Sequence, residues 1–124
     1  MELMRRWISR RKPWVFENSK IPVWLSYVAP IEIFALSFGP FVFCRDELPD
    51  QTRTHETIHY HQQLELLFVF QWLLYAVFWV VGLVRHRSGS ISYYENPFEI
   101  EAYNNDHDAN YLEKRSLWAW RHYV

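Results

Sequence analysis

From Leu66 to Val84 the chain reads Leu-Leu-Phe-Val-Phe-Gln-Trp-Leu-Leu-Tyr-Ala-Val-Phe-Trp-Val-Val-Gly-Leu-Val, with Gln71 the one clear polar interruption. No other feature constrains the fold as strongly. A run of this length qualifies as a transmembrane candidate. It equally suits a central helix that is apolar on all sides because the fold wraps around it. Arg85-His86-Arg87 closes the run, and Gly82, Ser88, Gly89 and Ser90 mark its end and a following loop. At 124 residues the chain has the length of one domain, so the remaining elements must be arranged around this segment.

Directly upstream lies His55-Glu56-Thr57-Ile58-His59, an HExxH signature of zinc hydrolases. Residues four apart share one face of a helix, so the imidazoles of His55 and His59 can grip a single Zn2+. Glu56 projects about 100° away, toward a water in the open coordination position. The same arc carries Gln62 and runs on into Leu66, which turns this face toward the interior. Two inward histidines need partners, and a metal supplies both at once. The helix is expected to start near Asp50 to Thr54, with Asp50 or Thr52 as its N-cap.

A catalytic zinc takes a third protein ligand and leaves the fourth position to water. The candidates fall in Asn96-Pro97-Phe98-Glu99-Ile100-Glu101-Ala102-Tyr103, where Asn96 reads as an N-cap and Pro97 as the first helical residue. Glu99 and Glu101 sit about 200° apart on a helix, so only one can face the ion. Glu99 shares its side with Ala102, Tyr103 and Asp106, suited to close packing, whereas Glu101 shares its side with Asn105 and Asp108 and reads as solvated. Glu99 is the preferred ligand. Its competing role is a helix-start cap, three residues after Asn96.

This ligand set collides with the apolar run. One straight helix from His59 to Val84 would be about 37 Å long. The residues from Val84 to Glu99 span at most about 50 Å when extended, and irregular backbone cannot return through lipid. Either the helix bends or ends early, or protein covers the return, or Glu99 is not a ligand. Ile91-Ser92-Tyr93-Tyr94 has strand-like composition and could run back along the helix. A helix in the core, or partly embedded in an interface, is therefore favoured over a free-standing span.

The rest of the chain reads as an α+β, mainly helical domain. Pro22, Pro30 and Pro40 with Glu32 and Gly39 argue against a membrane-spanning helix between Ile21 and Cys44. Segments 31–38 and 41–44 read as short strands joined at Gly39-Pro40, a β-hairpin just before the HExxH helix. The tail from Leu117 to Tyr123 is apolar and expected to dock. Residues 1–20 form a basic amphipathic segment. Leu3, Met4, Trp7 and Ile8 fall at helical spacing with Arg5, Arg6 and Arg10 on the remaining arc, which fits a helix on an anionic membrane surface or a solvated terminus. No uninterrupted apolar stretch or small-residue cleavage site makes it a convincing signal peptide, so the expected location is cytoplasmic or membrane-associated. A net charge of -1 gives no case for nucleic-acid binding, and a lone Cys44 excludes an internal disulfide framework. Aromatics at 19% imply an aromatic core or contact with a membrane interface.

Taken together, His55-Glu56-x-x-His59 and Glu99-x-x-Ala102 resemble the gluzincin pattern, in which a glutamate on a later helix completes a His-His-Glu site. Thr54 to His59 with Gln62-Gln63-Leu64-Glu65-Leu66-Leu67, then Asn96 to Tyr103, resembles small, uncharacterised bacterial proteins classed as metallopeptidases. The similarity extends from about Phe38 to the C-terminus and includes Tyr111-Leu112-x-x-Arg115. It implies a minimal zincin-like domain over 1–124, with zinc on His55, His59 and Glu99 and with Glu56 as general base against a peptide or protein substrate. The departure is Tyr103, where related membrane-bound zinc peptidases carry an aspartate; Asp106 is the candidate substitute. Tyr94, Tyr103, His61 and His107 are candidate oxyanion donors, and strand 41–44 is a candidate edge for pairing with an extended peptide. Two rivals stand beside this reading. One is a structural zinc site closed by a fourth ligand such as His61 or His107. The other is a metal-free helical membrane component.

Overall fold

A computed structural model describes residues 2–28 and 33–124. In chain order it contains α1 (Glu2–Ser9), β1 (Trp14–Phe16), α2 (Ile21–Ser26), β2 (Ala35–Phe38), β3 (Phe41–Cys44), α3 (Asp50–Glu65), α4 (Val69–His86), α5 (Gly89–Glu95), α6 (Pro97–Asn105) and α7 (Tyr111–Lys114). A final 3-10 turn covers Ala119–Tyr123. The molecule is thus α+β and mainly helical, as the sequence suggested.

The hairpin is present, turning at Gly39 with φ 59°, a conformation that glycine adopts at little cost. Its first strand begins at Ala35; residues 31 and 32 of the expected strand lie outside the described residues. A third strand, β1, was not anticipated and comes from within the segment read as a basic N-terminal arm. It pairs in parallel with β3, while β2 pairs antiparallel, giving the order β1-β3-β2. The expectation that 41–44 is a peptide-binding edge is therefore overturned: β3 is central and its hydrogen bonds are used on both sides. Val42 and Cys44 point inward and are fully buried. The opposite face carries Trp14 and Phe16 beside Phe41 and Phe43, followed by Leu36 and Phe38.

Neither Asp50 nor Thr52 caps α3. Pro49 does so in an extended conformation without a side-chain bond, and Asp50 is the first helical residue, where its charge complements the helix dipole. At its other end α3 stops at Leu66. Leu67 N–H donates to the Leu64 carbonyl at 3.3 Å and Phe68 N–H to the Gln63 carbonyl at 2.6 Å. This is a Schellman ending with leucine, at φ 56°, in the place where glycine is usual; Phe68 also has positive φ, at 61°. The left-handed leucine costs about 1–2 kcal/mol.

That break resolves the conflict in the sequence. The apolar run is not continuous with α3, and α4 turns back, so that Trp72 Nε1–H donates to Gln63 Oε1 at 3.0 Å. The return is made by a helix and not by the strand expected over 91–94. α5 lies along the middle of α4, with Trp79 Nε1–H on the Gly89 carbonyl at 3.2 Å and the Ser92 hydroxyl on the Trp79 carbonyl. Gly82 permits this approach, because a Cβ there would collide with Ser92. Asn96 then caps α6 by accepting from Phe98 N–H at 3.1 Å, with Pro97 in the first turn, as expected. Phe98 is fully buried between Tyr75, Phe78 and Trp120, which docks the C-terminal tail.

The core reading of the apolar run is corrected. α4 is long and apolar enough to cross a membrane, with mean hydropathy 1.4, yet only 6% of it is buried. Gln71 is its one buried residue. Val69, Phe70, Leu73, Val77, Val80, Val81 and Val84 are exposed.

Candidate metal centre

α3 and α6 bring His55, His59 and Glu99 together in the interior. The Nε2 atoms of the two histidines lie 3.2 Å apart, and Glu99 Oε1 is 2.9 Å from His59 Nε2 and 3.3 Å from His55 Nε2. Ligands bound at 2.0–2.1 Å on a tetrahedral ion are separated by about 3.3 Å. The three atoms therefore match one face of such a tetrahedron, and this donor set fits a metal ion.

A second layer of polar groups sets the direction of each ligand. Gln62 Nε2 donates to the Phe98 carbonyl and to Glu101 Oε1, both at 3.0 Å. Two acceptors on that side fix the amide nitrogen there, so Oε1 faces His59 Nδ1 at 2.8 Å. His59 must then carry a proton on Nδ1, which aims Nε2 at the centre. Asp106 Oδ2 accepts from His55 Nδ1 at 2.9 Å, and its Oδ1 accepts from Gln51 Nε2 at 2.9 Å. Asp106 thus holds Nδ1 of His55 and leaves Nε2 toward Glu99. Tyr75 donates its hydroxyl to Glu99 Oε2 at 2.7 Å, leaving Oε1 for the ion. Glu99 does not act as a helix cap.

Burial opposes charge on His59, but the Glu99 carboxylate and its hydrogen bond prevail and raise its pKa to about 10. Glu99 is held well below the usual carboxylate range: burial works against its charge, and the two histidines more than offset it. The Glu99 carboxylate thus favours the charged form of His59, and a metal binding there would compete with that proton. Burial raises the pKa of Glu56, with the two histidines opposing.

Glu101 is not solvated, contrary to the expectation from its neighbours. It is fully buried and forked onto Arg115, with Nε to Oε2 at 2.6 Å and Nη2 to Oε1 at 3.0 Å. Arg115 also grips Glu65 at 2.8 and 3.0 Å, and Tyr111 donates to Glu101 at 2.8 Å. Through Gln62 this cluster is continuous with His59. Only one glutamate faces the two histidines, as the helical spacing required, and the other anchors the helix that carries it.

A cavity of about 1030 Å³ opens over the three ligands and Glu56. It is lined by residues 33–38, by Trp72, Tyr75, Ala76 and Trp79 of α4, and by Tyr93, Tyr94 and Tyr103. Tyr103 meets His55 edge-on at 4.4 Å, and its hydroxyl lies 3.2 Å from that of Tyr93. Of the suggested oxyanion donors, Tyr94 and Tyr103 line the cavity. His61 does not. Its Nε2 donates to the Arg11 carbonyl at 2.8 Å, and burial lowers its pKa to about 4. His107 is exposed and does not line the cavity. Neither histidine closes the metal site.

Tyr75, Tyr93 and Gln63 were missed. Gln63 accepts from Gly39 N–H at 2.7 Å and donates to Ser37 Oγ at 3.0 Å, so it ties the hairpin to α3 beside the ligands. A signal for Tyr75 was available: Gln71, Tyr75, Phe78 and Gly82 recur at 4/3/4 spacing and mark the packed face of α4.

No family model matches the chain, and neither a curated protein nor a solved structure does so.

Proposed function

We propose that the protein is a zinc-dependent metallopeptidase of zincin-like type, with zinc held by His55, His59 and Glu99. The observation that carries this reading is the triangle of ligand atoms at 2.9–3.3 Å opening into a cavity that also contains Glu56. Two imidazoles and one carboxylate are a donor set that zinc favours, and the side of the triangle that faces the cavity leaves room for water and substrate. Zinc bound there supplies Lewis acidity, bringing the pKa of water toward neutrality and polarising a carbonyl.

The chain's own groups account for the remaining chemistry. Glu56 takes the proton of the attacking water and delivers it to the leaving amine; its upward-shifted pKa suits both roles. The Tyr103 and Tyr93 hydroxyls supply hydrogen-bond donors for the carbonyl oxygen as it gains charge. β2 lies at the edge of the sheet and belongs to the cavity wall, so it takes over the peptide-pairing role first assigned to 41–44.

The experiment is Glu56→Gln in zinc-loaded protein, assayed on a peptide library. It is expected to keep one zinc per chain and to lose hydrolysis by at least about a thousandfold, since base and proton shuttle go together. Turnover retained near the wild-type rate contradicts the mechanism.

A further inference from the structure

The exposed residues of α4 form a single ridge. Val69, Leu73, Val77, Val80 and Val84 lie within about 80° of one another on the helix, flanked by Phe70, Ala76 and Val81. All are exposed and none is polar. At its N-terminal end the ridge meets the outer face of the sheet, where Phe38 stacks on Trp72 at 4.7 Å and Trp14 is 67% exposed. A continuous apolar surface of this extent marks a contact with something apolar.

Charge identifies the occupant. The chain is nearly neutral, yet exposed cations stand at both ends of the ridge. Arg85 and Arg87 follow its last turn. Exposed Arg10, Arg11 and Lys12 stand at the other end, held there because the Arg11 carbonyl accepts from His61 and Trp14 N–H donates to the Pro40 carbonyl beside the hairpin turn. Apolar surface bounded by cations complements an anionic bilayer. A spanning orientation conflicts with the return path. α5 lies along the middle of α4, so a span would carry its exposed Glu95 into the hydrocarbon. The opposite face of α4, with buried Gln71, packs on protein.

We propose that the protein is monotopic: α4 lies in the plane of an anionic leaflet with its aliphatic ridge buried, and the cavity opens at that surface. Phe34, Phe38, Ala76 and Tyr94 both line the cavity and are exposed, so the rim is continuous with the lipid-facing ridge. Resting on the peptidase reading, this defines the substrate class as apolar peptide segments lying in the interface.

The test uses zinc-loaded full-length Glu56→Gln, so that binding is read without hydrolysis, on phosphatidylcholine vesicles with and without phosphatidylglycerol. Single cysteines replace Val69, Val77, Val84 and Phe38 and carry an environment-sensitive fluorophore; native Cys44 is fully buried and stays unlabelled. Binding to phosphatidylglycerol vesicles is expected, weakened at least about tenfold by Leu73→Glu with Val77→Glu and about tenfold by Arg85→Glu with Arg87→Glu. Shallow spin-labelled lipid should quench all four positions to a similar degree. The proposal is overturned by absence of vesicle binding, by deep quenching at position 77 alone, which indicates a span, or by a soluble dimer that Leu73→Glu dissociates. Wild type should cleave a vesicle-inserted apolar peptide in preference to a soluble polar one, and the reverse preference overturns the substrate class. Peptide hydrolysis without vesicle binding defeats only this inference. Vesicle binding without hydrolysis of any peptide defeats only the peptidase reading.

Discussion

The two long helices are inverted relative to each other. α3 buries His55, Glu56, His59, His61, Gln62, Gln63 and Glu65, whereas α4 exposes valine, leucine and phenylalanine along its length. In α3 the polar interior is tolerated because its groups have partners: Gln62 and Gln63 are bonded at both ends of their amides, and Glu65 meets Arg115 and the Trp118 N–H. In α4 the apolar exterior has no partner within the described residues beyond its edge. The stability of the site therefore resides in paired polar groups, while the apolar helix forms one wall of the cavity with its inner face and leaves its outer face for an external environment.

Substitutions of matched severity should separate the two helices. Arg115→Ala removes the cation between Glu65 and Glu101 and leaves two buried carboxylates uncompensated. An expected loss of about 3–5 kcal/mol should be visible in thermal or urea denaturation; a loss below about 1 kcal/mol would show that the polar interior is not held by this cluster. Gln62→Leu keeps the volume but frees the His59 tautomer. It should weaken zinc about 10–100-fold in competition with a chelator while leaving the fold intact, and unchanged affinity would remove Gln62 from the site. At the small end, Leu73→Ala on the exposed ridge should change the stability of the detergent-free protein by less than about 0.5 kcal/mol. A larger loss would mean that the ridge is packed after all.

The parts of the molecule legible in the sequence are those specified by local pattern. The HExxH spacing, the Asn96-Pro97 helix start and the Gly39-Pro40 turn act within a few residues, and each reappears in the structure. The choice of Glu99 over Glu101 rested on the helical angle and on the neighbours each shares its side with, and the structure places Glu99 beside the two histidines. What failed was long-range. β1 is three residues long and gains its identity from pairing with β3, which no local signal announces. The break at Leu67-Phe68 places two bulky residues at positive φ, so the glycine that normally signals a helix end is missing. Residues 91–94 have strand composition, but the close approach at Gly82 accommodates a helix there. Glu101 looked solvated because its partner, Arg115, lies on a later element. The aliphatic run read as core because burial is the usual fate of such residues, and its exposure becomes visible only once the return path is known.

The central claim is that His55, His59 and Glu99 form a metal site that Glu101 supports without touching. Zinc content and affinity of purified wild type, Glu99→Ala and Glu101→Gln test it most directly, because Glu101→Gln still offers Arg115 a hydrogen-bond acceptor. One zinc per chain is predicted for wild type and Glu101→Gln, with stoichiometric binding lost in folded Glu99→Ala. Zinc retained at wild-type affinity in Glu99→Ala, or lost equally in both folded variants, would contradict it.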